Sequence, residues 1–152
     1  MTLDRRTLNT ALVSISGIAF VLNFTWEMLQ MPLFEGMDWS PTSWTLCAAA
    51  SLGDAAFSAA AYTALALRHG EARWVCRRDA RDVGWVVMGG LVAGVLGEWV
   101  SRALGWWSYS DRMPLIPGLE VGVVPLVQLA VLTVATFELV RHFGLCLSRP
   151  HT

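Results

Sequence analysis

The chain has 152 residues, a length that suits one domain, and 55 % of them are apolar, with a mean hydropathy of +0.49. The net charge is −1 and every basic side chain is arginine, so there is no basic excess of the kind that binds nucleic acid. Eight tryptophans in so short a chain suit membrane–water interfaces, where the ring is apolar and its N–H can stay wet.

Arg5 and Arg6 precede a long apolar run, as the basic segment of a signal peptide would. No small-x-small cleavage site follows, and the run ends in Trp26-Glu27-Met28-Leu29-Gln30-Met31-Pro32, so it is read as a retained first span. Four stretches, 8–31, 44–67, 83–104 and 124–143, are each long enough to cross about 30 Å of hydrocarbon at ~1.5 Å per residue. Pro32, Gly36 and Pro41 punctuate the first break, and Gly70 with an arginine cluster the second. Gly105, Pro114, Pro117 and Gly118 mark the third. Backbone facing lipid must satisfy its own hydrogen bonds, so the spans are helices, and no strand pattern competes. The expected fold is all-α: a single-domain integral membrane four-helix bundle.

Nine of the eleven arginines lie at the N-terminus (Arg5, Arg6), in the second loop (Arg68, Arg73, Arg77, Arg78, Arg81) and in the C-terminal tail (Arg141, Arg149). Positive-inside counting predicts an N-in/C-in topology, with the first and third loops outside. The Arg77–Arg81 cluster is read as a topology signal that touches lipid headgroups. Cys47, Cys76 and Cys146 show no C-x-x-C spacing, which excludes the common zinc, haem-attachment and dithiol signatures. Cys76 and Cys146 fall on the reducing side of this topology, so no structural disulfide is expected.

Three acids lie inside the spans, where charge is costly: Glu27, Asp54 and Glu98. Helical spacing joins Asn23, Glu27 and Gln30 on the first span and Ser51, Asp54, Ser58 and Tyr62 on the second. Glu98 precedes Ser101 and Arg102 by one turn and follows Gly90-x-x-x-Gly94, a pattern that lets another helix approach closely. On the fourth span the counterpart is Gln128. Counted along each helix, Glu27, Glu98 and Gln128 lie about 6, 9 and 5 Å from the outer ends of their spans, and Asp54 about 15 Å. These depths predict one pocket opening outward. The aromatic, proline-bounded run from Gly105 to Pro114 would sit above it, as a lid or as an interfacial belt. Glu138, one turn from Arg141 and His142, is explained by a structural ion pair. Glu98 with Arg102, and Glu27 with Asn23 or Gln30, could equally be polar clasps between helices.

Desolvation disfavours a carboxylate anion, so a carboxyl group in an apolar, tryptophan-lined site can serve as a general acid. Aromatic faces such as Trp26, Tyr62, Trp99 and Trp107 can stabilise a carbocation. Glu27, Asp54 and Glu98 are therefore the candidate catalytic residues. Asn23, Trp26, Ser58, Tyr62, Trp99, Trp107, Tyr109 and Gln128 are the candidate substrate-binding set. The histidines, His69, His142 and His151, lie at the arginine-rich side, so no metal site and no nucleophilic triad is expected, and no cofactor is implied.

The pattern Trp107-x-Tyr109, Met113-Pro114, Pro117-Gly118 and Pro125-x-x-Gln128, with Gly53-Asp54, resembles small bacterial four-helix integral membrane proteins. That likeness implies a bacterial inner membrane location and carries no activity. Asn23-Phe24-Thr25-Trp26-Glu27 resembles the Asn-x-x-Trp-Glu of the integral-membrane terpene cyclases of meroterpenoid pathways. In those enzymes an intramembrane glutamate and an aspartate serve as acids, which implies Glu27 as proton donor here. They have more helices, which implies a homodimer for a comparable pocket. The expectation is a membrane enzyme acting on a lipophilic isoprenoid by acid-initiated cyclisation or isomerisation. The alternative is a non-catalytic accessory subunit that binds a pigment or lipid within a larger membrane complex. A proton-coupled carrier is disfavoured by the apolar inner halves of the first and third spans.

Overall fold

The computed structural model describes residues 4–146. Four helices account for most of it: α1 (Arg5–Gln30), α2 (Pro41–His69), α3 (Ala80–Ala103) and α4 (Val123–Val140). Their ends follow local chemistry. The Asp4 carboxylate accepts the Arg6 and Thr7 N–H groups, and Ser40 caps α2 ahead of Pro41. Gly70, at φ 65°, closes α2 in the left-handed conformation. Asp79 and Asp82 form a reciprocal capping box on α3.

Segments Arg5–Leu33, Ala80–Ala103 and Val123–Phe143 are long and apolar enough to cross a membrane. The longest helix, α2, is not among them. It is rich in alanine and hydroxyl side chains and carries Asp54, so no stretch of it is as apolar as the three segments above. Val13, Val21, Leu52, Met88, Val92 and Val131 point outward from the bundle, an arrangement that suits lipid better than water.

Helix α4 is central. Helix α1 lies against both α2 and α4, and α3 lies against α4, whereas α2 and α3 barely meet. The Gly90-x-x-x-Gly94 pattern faces α4, as its spacing predicts. A Cβ at Gly90 would stand 2.8 Å from the Cα of Ala130, and one at Gly94 would stand 3.3 Å from Leu126. The end bearing residues 31–40 and 104–122, here the hairpin end, adds a two-residue antiparallel ribbon, β1 (Leu115–Ile116) with β2 (Val121–Gly122). The sequence pattern gave no sign of it, because two residues are too few for alternation.

At the opposite, terminal end, the arginine-rich loop is folded into the core. Trp74 is buried against Tyr62 and Phe137, and its N–H donates to the Tyr62 carbonyl at 3.2 Å. This anchoring brings Cys76 to Cys146, which are joined in a disulfide with Cα atoms 5.8 Å apart. The expectation of free thiols is thereby overturned. It rested on compartment alone, whereas the packing of Trp74 against α4 brings residues far apart in sequence into bonding range. Arg141 and His142 meet Glu138 as expected, and Arg78 from the second loop joins them.

Two outcomes test this packing. Gly90→Ala drives a methyl into Ala130 backbone that cannot yield, and should lower stability by about 1–3 kcal/mol, read as a reduced Tm in detergent. Gly84→Ala, with nothing within 4 Å, should not. Unfolded without reductant, each chain should take up one equivalent of thiol reagent, at Cys47, and three after reduction.

Candidate functional site

Because α2 and α3 stand apart, the hairpin half of the bundle holds a cavity of about 440 Å³ that opens between them. Glu27, Asp54, Glu98 and Gln128, each from a different helix, line it together. The convergence that helical spacing and depth predict is therefore present in the geometry.

Gln128 organises the cavity. Its amide nitrogen lies 3.1 Å from Asn23 Oδ1, 3.0 Å from Glu27 Oε1 and 3.1 Å from Asp54 Oδ2. A primary amide has two N–H groups, so it satisfies two of these three acceptors at a time. Its oxygen accepts from Gln30 at 2.9 Å, and Gln30 in turn accepts the Trp26 N–H at 3.2 Å. Asn23 is held by donation to the Ala19 carbonyl at 2.8 Å. Among the described residues, no cation lies within ion-pair distance of Glu27, Asp54 or Glu98.

Glu98 is held from above. It accepts the Trp107 N–H at 3.2 Å and the Tyr109 hydroxyl, both on the same oxygen. Arg102 does not clasp Glu98; it donates to the Glu120 carbonyl and sits 4.7 Å over the Tyr109 ring. Burial, and then the bond given to Glu98, push the Tyr109 phenol above its ordinary range, so it remains a donor. The loop bearing Trp107 and Tyr109 is tied to the first loop. Glu35 N–H donates to Ser108 at 2.9 Å, Ser110 N–H donates to Leu33 at 3.0 Å, and Phe34 pairs with Tyr109. It covers the cavity, with Trp106 and Trp107 on its wall.

Six of the eight expected substrate-binding residues lie outside the cavity lining: Asn23 and Tyr109 stand behind it, bonded to Gln128 and Glu98, and the other four fall elsewhere. Trp26 serves Gln30 from outside the lining, and Trp99 points outward, donating to the Leu119 carbonyl at 2.9 Å. Ser58 lies one turn below Asp54, bonded to Thr133 at 3.0 Å. Tyr62 is in the terminal core, its hydroxyl donating to the Ala72 carbonyl. Conversely, Phe34, Phe57 and Gly97 line the cavity without having been singled out; they carry no polar signal by which to find them. Among the described residues, no three histidine, cysteine, aspartate or glutamate side chains are grouped to hold a metal ion.

Gln128→Leu would strip partners from Gln30, Asn23 and the two acids together. At about 1–3 kcal/mol per orphaned buried group, it should lower the Tm far more than Thr133→Val, which removes one hydroxyl pair. Compared with protein-family models, with curated proteins and with solved structures, the chain matches none at a significant level.

Proposed function

We propose that this chain is a membrane-embedded enzyme that isomerises or cyclises a lipophilic isoprenoid by protonating an alkene. The observation that carries the reading is the meeting, in one cavity between α2 and α3, of three carboxyl groups with no cation within ion-pair distance among the described residues. A substrate dissolved in the bilayer reaches such a cavity without leaving hydrocarbon.

Glu27, held by a shared amide, transfers its proton to one alkene carbon, and the π electrons form the new C–H bond. The positive charge left on the neighbouring carbon faces Trp107, Phe34 and Phe57. Asp54 or Glu98 then removes a proton from an adjacent carbon, whose C–H electrons form the new double bond. The sequence is redox-neutral and uses no cofactor. Glu98 suits the base, because Trp107 and Tyr109 fix its oxygen in place. The likeness of Asn23–Glu27 to membrane terpene cyclases favours the same donor.

We further propose four spans with both termini in the cytoplasm of a bacterial inner membrane, on the arginine count. The Cys76–Cys146 bond pulls the other way, since disulfides persist in oxidising compartments. One observation favours the accessory-subunit reading: every buried side-chain polar atom among the described residues lies within hydrogen-bond distance of a partner, as in a purely structural network.

Glu27→Gln keeps the hydrogen bond to Gln128 and removes the proton. Mass spectrometry of lipids extracted with the wild-type protein and with Glu27→Gln separates the readings. The enzyme yields two isoprenoids of equal mass and different structure, the product falling about 10²- to 10⁴-fold in the variant. One unmodified pigment or lipid in both samples assigns the accessory role.

A further inference from the structure

A second hollow, of about 460 Å³, lies between α2 and α3 in the terminal half of the bundle. Its walls include Phe57, Ala64 and Leu65 on α2 and Trp85 and Gly89 on α3, and Arg68 stands at its rim. Phe57 also lines the acid cavity, so the two hollows share one wall. Phe57 and Arg68 are eleven helical steps apart, giving a groove of about 16 Å along α2. Half of a ~30 Å hydrocarbon layer is nearly the same length.

We infer that this groove binds an acyl chain of an anionic membrane lipid, with the headgroup at Arg68 and the chain end against Phe57. Its floor is made of small residues. A Cβ at Gly89 would meet only the Phe57 ring, at 3.8 Å, so a slot remains where a packed bundle would place a side chain. The rim has the matching charge. The Arg68 side chain is half exposed and touches Asp82 at 3.5 Å, but Asp82 itself is buried and also bonds His69 and the Asp79 N–H. Asp79 caps the N–H groups of Arg81 and Asp82. Asp82 is thus shared between Arg68 and His69 of α2 and leaves half of Arg68 open at the rim, while Arg81 is exposed one turn from Trp85. A lipid is the occupant that a bilayer supplies at this depth, and the inference stands whether or not the acid cavity is catalytic.

The test is native mass spectrometry of the full chain, titrated with phosphatidylglycerol and with phosphatidylcholine of identical chains. The wild type should retain one phosphatidylglycerol with a preference of about five-fold, equivalent to ~1 kcal/mol for one arginine at a membrane surface. Arg68→Gln should erase that preference. Gly89→Leu, which fills the groove, should lose the retained lipid, while Gly84→Leu, which meets nothing within 4 Å, should bind as wild type does. Equal retention of both lipids by the wild type overturns the inference, as does unchanged binding by Gly89→Leu. A dimer that Gly89→Leu dissociates would overturn it too, assigning the groove to a second copy.

Discussion

Polar side chains inside a bundle that faces hydrocarbon must satisfy one another, and here that requirement centres on the primary amide of Gln128. It stands where side chains from α1 and α2 reach α4, and it draws Asn23, Glu27, Gln30 and Asp54 to one point. Three helices are thereby fixed at the hairpin end. The acid on α3, Glu98, belongs to a different network, hung from Trp107 and Tyr109. The division between these two networks leaves Glu98 on the cavity wall apart from the clasp that holds Glu27 and Asp54.

The two ends of the bundle are stabilised by different means. The terminal end is an aromatic and aliphatic core, with Tyr62, Trp74 and Phe137 in mutual contact and the disulfide beside them. The hairpin end relies on hydrogen bonds between loops and on polar side chains around a cavity. Buried apolar contact holds the molecule together at one end and frees the other to carry carboxyl groups around a cavity.

Much of this was legible in the sequence. Helix ends fall within a few residues of the expected breaks because Ser40-Pro41, Gly70 and Asp79 are local signals that act alone. Glu27, Asp54, Glu98 and Gln128 could be placed together because spacing gives the face and residue count gives the depth. The same reasoning failed where it ignored one of these. Trp26 and Trp99 directly adjoin Glu27 and Glu98, and consecutive helical residues point about 100° apart. Tyr62 shares a face with Asp54 but lies about 12 Å along the helix, which puts it in another compartment of the fold. The disulfide and the gap between α2 and α3 depend on tertiary packing, for which a single sequence holds no local mark.

Backbone contact at Gly90 makes α3 and α4 one board, and the long contact of α1 with α2 makes another. The α1–α4 seam joins them like the spine of a book, whose free edges are α2 and α3. Widening the free edge strains few contacts, because few exist there. The covers are pinned at the terminal end, where Arg68 and His69 of α2 reach Asp82 of α3, and part most easily at the hairpin end.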